Sequence, residues 1–296
     1  MEYDPDVAKE YIIYRYQHQE DRLLDDRIHY MESYSNSSNN AATSSETDAN
    51  ANITTKNVSN MEGEVYKTTN RRIQRRRMKK MLTKLYDSEL ASQYIKDIEH
   101  RIIYIHDEAS TPTIKNYCEA VSLYPLMVDG TSTLDGLKTA PPNNLDSACG
   151  QLINCAFLLS SQCKGAVAFG EFFNYLNYYI VKEFGSNWYR KLGAITTSVH
   201  CTKQRTIKDT IEQAFQKIVF NFNQPAGNRG SQSPFTNISY YDSNYWKAMF
   251  EDFYYPDGTQ PEWEAIDVLQ KMFMRWFNVT RTKTLLTFPV KLKSAA

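Results

Sequence analysis

The feature that most constrains the fold is a pair of helices with no polar side. Ser147 to Cys163 and Ala168 to Phe184 are expected as helices interrupted at Lys164 and Gly165, and both are apolar nearly all round. A helix without a polar face must be covered on every side, so the pair predicts a larger body built around it. Ser147 is the expected cap of the first helix, and Gly185 the expected stop of the second. A chain of 296 residues is long enough to bury such a core. The surrounding pattern alternates. Thr206 to Gln216 reads as a helix running into a strand at Ile218 to Phe222, Phe235 to Tyr240 as a second strand, Glu262 to Asn278 as an amphipathic helix, and Thr284 to Val290 as a buried strand. Helices alternating with short strands predict an α/β fold with mostly parallel strands.

The first hundred residues are of another kind. Asp4 to Arg27 reads as a helix, with Asp4 as cap and Pro5 in the first turn. Ser33 to Asn60 is rich in Ser, Asn and Thr and is expected as a linker. Gly63 to Glu99 reads as a helix broken near Tyr86 to Ser88. It carries an apolar stripe (Met78, Met81, Leu82, Leu85) and a basic one running from Arg71 to Lys84. Charge is split accordingly. Residues 1–50 hold 4 basic and 11 acidic side chains, residues 51–100 hold 11 basic and 6 acidic, and the whole chain is neutral. A basic stripe can be a nucleic-acid surface, but this one lacks the interleaved aromatics of a stacking platform, and a solvated face accounts for it.

Some classes are excluded. No run of about 18 apolar residues and no signal-peptide pattern is present, so a cytoplasmic protein with no membrane partner is expected. The five cysteines, Cys118, Cys149, Cys155, Cys163 and Cys201, form no C-x-x-C pair, which argues against a disulfide framework and against a metal site.

Chemistry concentrates in Arg101 to Pro125. Apolar Ile102, Ile103 and Ile105 deliver His106 and Asp107 to a turn, and a strand-like run then carries the lone thiol of Cys118 between Asn116 and Tyr124. A free cysteine ordinarily packs as an inert small hydrophobe, and a His-Asp pair can serve as a cap. From the residues alone, a reactive cleft and a structural turn both stand. The loop Asn223 to Asn237 offers Gly227 and Gly230 for close backbone approach and Arg229 for a phosphate or base, but it lacks the G-x-x-x-x-G-K-[ST] spacing of a P-loop. The remaining cysteines of the apolar helix read as core. His200 and Cys201 have no metal-binding partners at suitable spacing.

Together, IHDEASTP (105–112), NYCEAVSLYPLMVDG (116–130), SSQCKGAVAFGEFFNYLNYY (160–179), NQPAGNRGSQSPFTNISYYD (223–242) and TLLTFPV near the end resemble the anaerobic ribonucleoside-triphosphate reductases, the glycyl-radical class of ribonucleotide reductase. The resemblance runs in family order from about Asn50 to Val290. It implies the helix-rich first half of a ten-stranded α/β barrel over residues 61–290. Residues 1–32 would be the closing helix of an ATP-cone, 33–60 a linker, and 291–296 a tail outside the family pattern.

The activity implied is reduction of ribonucleoside triphosphates to 2'-deoxyribonucleoside triphosphates. Cys118 takes the place of the second, barrel-strand cysteine. His106, Asp107, Asn116, Gln162, Gly165, Ser233, Thr236 and Asn237 match substrate-cleft positions, and Asn228, Arg229 and Gln232 match an effector loop. The finger-loop cysteine, a zinc module and the glycyl-radical segment are not found, so no cofactor or metal is expected on this chain and it is expected to be inactive alone. For the complete enzyme the resemblance implies formate as reductant, dNTP and ATP as effectors, a radical SAM activase and a homodimer. The chain is expected to be a fragment, either a split-gene product with a separately encoded C-terminal half or a truncation. The alternatives are a non-catalytic nucleotide-binding or dimerisation module, or a nucleic-acid binder using Arg71 to Lys84.

Overall fold

The computed structural model describes residue 9 and residues 58–105, 108, 116–132, 136–196, 205–224, 233–284, 286 and 288–294. The expected helix at Asp4 to Arg27 (apart from Lys9) and the linker as far as Asn57 lie outside the described residues. So do His106, Asp107, His200, Cys201, Asn228, Arg229 and Gln232. The chain divides into two compact units, one containing the described residues as far as Asn116, the other those from Tyr117 on.

The first unit is a helical pair. Helix α1 (Val58–Leu85) and helix α2 (Ser88–Glu99) are separated at Tyr86 and Asp87, where the sequence placed the break. Asp87 causes it: its carboxylate accepts from the Glu89 and Leu90 amides at 2.8 Å, so it starts a new helix. Ile73 on α1 and Ala91 and Ile98 on α2 are buried. Beyond α2, Arg101 adopts φ 63° and the Ile102 amide returns to the Asp97 carbonyl, turning the chain into the segment that ends at Glu108.

The second unit is an α/β body. Its elements are β1 (Glu119–Ala120), α3 (Tyr124–Val128), β2 (Thr131–Ser132), β3 (Lys138–Thr139), α4 (Leu145–Ser160), β4 (Val167–Phe169), α5 (Phe172–Phe184), β5 (Ile195–Thr196), β6 (Arg205–Thr206), α6 (Ile207–Phe222), β7 (Thr236–Tyr241), α7 (Ser243–Phe250), α8 (Trp263–Arg281) and β8 (Val290–Ser294). Strands β1, β4, β7 and β8 form one sheet in that order, every pair parallel. β2–β3 and β5–β6 are small antiparallel hairpins.

Helix α5 meets the expectation of burial over most of its length: every residue from Phe172 to Ile180 is buried, whereas Lys182 and Glu183 in its last turn are exposed. Phe273 of α8 is the hub. Its ring lies edge-on to Phe172, Phe173 and Phe215 at 4.9 to 5.8 Å and stacks on Phe277. Each such side chain contributes about 1.5–3 kcal/mol by leaving water. The two asparagines on α5 are answered from neighbouring elements: Trp246 Nε1 donates to Asn174 Oδ1 at 3.1 Å, and Trp188 Nε1 donates to Asn177 Oδ1 at 3.0 Å. Gly185, at φ 82°, ends α5 as expected.

Four expectations are corrected. The first apolar helix is capped by Asn144, with Ser147 three residues in and closing a capping box. The second helix begins at Phe172, because Val167–Phe169 pairs as a strand between β1 and β7. Ile218 to Phe222 is helical: Ile211, Phe215, Ile218 and Phe222 recur at spacings of four, three and four and are all buried on one stripe of α6. The last strand is Val290–Ser294 rather than Thr284 to Val290, so residues read as a tail pair along β7.

Candidate functional site

The sheet has two unlike faces. Val167, Phe169, Thr236, Ile238 and Tyr240 are buried toward the helices, with Phe169 stacked on Phe222 of α6. Ala168, Asn237, Ser239 and Tyr241, which alternate with them, are only half-buried, and Ala120, Ala168 and Asn237 stand side by side across three strands. A parallel sheet is normally covered on both sides. Cys118, two residues before Ala120, falls on the open side by the same alternation and is exposed.

The thiol sits at a defect in the ladder. Glu119 donates to the Ala166 carbonyl at 3.0 Å, so the next rung toward the strand starts would run from the Ala166 amide to the Tyr117 carbonyl. That carbonyl instead accepts from Gly165, and the Ala166 amide donates to Cys118 Sγ at 3.3 Å. Sulfur replaces a backbone acceptor, and the main chain fixes its position. Only glycine fits at 165: a Cβ there would lie 2.5 Å from the Tyr117 oxygen and 2.6 Å from Cys118 Sγ. The other described thiols are different. Cys149 and Cys155 are buried, and desolvation pushes them up from 9.0 to about 12 and about 11. Cys163 is buried and donates weakly to the Gly165 carbonyl at 3.6 Å.

The remaining sequence-derived positions fall as follows. Gln162 is half-buried in the turn after α4, with its amide donating to Ser161 Oγ. Ser233 is half-buried just before β7, Asn237 lies on the open face, and Thr236 is fully buried on the helix-covered face with no hydrogen-bond partner for its hydroxyl. Parallel register gathers Cys118, Gly165 and Ser233 near the strand starts, with Asn237 a short way along the open face. Asn116 is exposed in the first unit. At the opposite strand ends, Glu171 accepts from Ser122 Oγ at 2.9 Å and from the Leu123 amide at 2.7 Å, tying the exits of β1 and β4 together.

A second constellation, in the first unit, falls on the basic stripe that the sequence offered only as a solvated face or a nucleic-acid surface. Arg71, Arg72, Arg75, Arg76, Lys79, Ile95 and Glu99 line a cavity of about 520 Å³. Arg71, Arg75 and Lys79 recur every four residues along α1, as Ile95 and Glu99 do along α2, and this spacing was the available signal. Five cations on one patch repel one another, and Glu108 offsets this. Its carboxylate, side chain 10% exposed, takes Arg75 Nε at 2.5 Å and Nη2 at 3.0 Å, with Arg71 Nε at 3.5 Å and Glu99 3.9 Å from Arg75 Nη1. The bond to Glu108 holds the Arg75 guanidinium above its ordinary value. Chemically, such a cavity suits a polyanion with an apolar moiety. Among the described residues, no group of three or more His, Cys, Asp or Glu could hold a metal ion, and no helix is long and apolar enough to cross a membrane.

The model of the anaerobic ribonucleoside-triphosphate reductase family matches residues 57–294. No curated protein matches. Among solved structures, the anaerobic ribonucleotide reductase of Thermotoga maritima in complex with dATP and CTP is 27% identical, over 80% of this chain and 38% of that one, with a TM-score of 0.69. The same enzyme with dATP in the specificity site is 24% identical, over 93% of this chain and 44% of that one, at 0.69. With glycerol in the active site it is 24% identical, over 99% and 46%, at 0.73. The chain thus spans less than half the length of these structures.

Proposed function

The chain belongs to the anaerobic ribonucleoside-triphosphate reductases, and from that membership we propose that it supplies one wall of a radical cavity in which ribonucleoside triphosphates become 2'-deoxyribonucleoside triphosphates. The four parallel strands are then part of the first half of a ten-stranded barrel, with the open sheet face turned to its interior. The observation that carries this reading is Cys118, an exposed thiol fixed by the Ala166 amide at the ladder defect.

A glycyl radical and the thiol it oxidises, both outside this chain, supply removal of the ribose 3'-hydrogen. Cys118 is the second thiol. Its S–H gives a hydrogen atom to C2' as the 2'-hydroxyl takes up a proton and leaves as water, the electrons and hydrogen from formate restore that S–H, and the first thiol returns the 3'-hydrogen. Formate is the two-electron reductant, consumed with one proton and released as carbon dioxide. Ser233, Asn237 and Gln162 bring hydroxyl and amide groups to the same strand starts for the ribose hydroxyls, and Gly165 keeps space for the thiol. By the same resemblance, His106, Asp107 and Asn116 are substrate positions. The arginine cavity takes the triphosphate of a dNTP or ATP effector, and Asn228, Arg229 and Gln232 form the effector loop. The complete enzyme works as a homodimer with an activase and a zinc module carried elsewhere.

Binding separates this reading from that of a nucleic-acid surface. The chain is expected to bind dATP, to lose about tenfold or more in affinity on Arg75→Ala, and to show no steep salt-dependent affinity for duplex DNA. Duplex DNA binding tighter than dATP binding, steeply weakened by salt, would overturn it.

A further inference from the structure

Two of the arginines that line the cavity are already paired with a carboxylate that lies outside its lining, Glu108. Glu108 grips Arg75 through two of its nitrogens and reaches Arg71, and both arginines line the cavity. A bidentate carboxylate–guanidinium pair occupies the donor edge that a phosphate would use. Glu99 approaches the remaining side of Arg75 but stays 3.9 Å away with a side chain 53% exposed, so water screens it far more than it screens Glu108. Of the two carboxylates, Glu108 is therefore the one that competes.

We infer that Glu108 is a built-in competitor of the cavity's anionic ligand, setting how tightly a polyphosphate binds by occupying Arg75 and Arg71 until the ligand displaces it. The inference rests on the reading of the cavity as a triphosphate site. A mere structural clamp predicts the opposite: if Glu108 only held Arg75 in place for the ligand, removing its charge would disorder the arginine and weaken binding. A competitor, once removed, strengthens it.

Calorimetric titration of the full chain with inorganic tripolyphosphate and with dATP tests this, comparing wild type, Glu108→Gln and Glu99→Gln. Glu108→Gln is expected to bind both ligands about tenfold tighter, as loss of one close charge pair allows, and Glu99→Gln to change affinity by less than about threefold. If wild type binds and Glu108→Gln binds equally or more weakly while keeping its helical circular dichroism, the competitor role falls and the cavity reading survives. If neither protein binds either ligand, the cavity reading falls and takes the inference with it. Should Glu108→Gln lose helical signal, Glu108→Asp is measured in its place. It keeps the charge but shortens the reach to Arg75, and tighter binding supports competition whereas unchanged or weaker binding overturns it.

Discussion

The arginine cavity and the Cys118 edge position their functional groups by opposite means. In the cavity, long flexible cations share one patch, and a single carboxylate from a distant part of the chain, Glu108, decides where two of them point. At the sheet edge a short side chain is held by main-chain atoms alone: the Ala166 amide takes the sulfur, and Gly165 leaves the space for it. The first arrangement is adjustable, because a competing anion can exchange with the carboxylate. The second leaves no room for exchange, because backbone atoms set the position of the sulfur. On the proposed reading, anion binding and chemistry fall to different kinds of scaffold within one chain.

That contrast can be broken. The largest structural effect is expected from Gly165→Ala, which forces a methyl group against a backbone oxygen and should cost about 3 kcal/mol of stability. Thermal denaturation of the variant measures the loss, and iodoacetamide labelling resolved by mass spectrometry should show an altered rate at Cys118. Tripolyphosphate binding, located in the other unit, should not move. A variant that melts like wild type and labels like wild type would mean the edge is as adaptable as the cavity.

A smaller effect comes from pH. Cys149 and Cys155 have raised values in the folded protein, about 12 and about 11 against 9.0, and Tyr175 and Tyr240 are raised by burial too. Above pH about 9 the unfolded chain releases these protons while the folded chain retains them, so stability should fall as pH rises toward about 12. Denaturant unfolding at pH 8, 9 and 10 measures this. At pH 8, iodoacetamide should mark Cys118 and spare the buried thiols. Flat stability across the series, or prior labelling of Cys149, would contradict the division between an open thiol and core thiols.

Much of this organisation was legible in the residues. Apolar runs without a polar side marked α4 and α5, alternation over Phe235 to Tyr240 marked β7, and the lone thiol of Cys118 marked the edge. What escaped has physical causes. Val167–Phe169 reads as helix because three residues of an apolar run carry no period, and only pairing with β1 and β7 makes them a strand. Ile218 to Phe222 reads as strand because β-branched and aromatic residues favour both states when buried. The basic stripe on α1 reads as solvated because a single helix does not disclose what faces it. Glu108 lies 33 residues from Arg75, and nothing local links them. The ladder defect at Cys118 is a matter of which amide meets which acceptor, and side-chain order does not encode it directly.

The most direct measurement concerns Cys118 in the assembled, radical-bearing enzyme. Deoxynucleotide formation by Cys118→Ser should fall by several orders of magnitude, with dATP binding unchanged and the thermal midpoint close to that of wild type. Turnover equal to wild type would contradict the assignment of Cys118 as the reacting thiol of this wall.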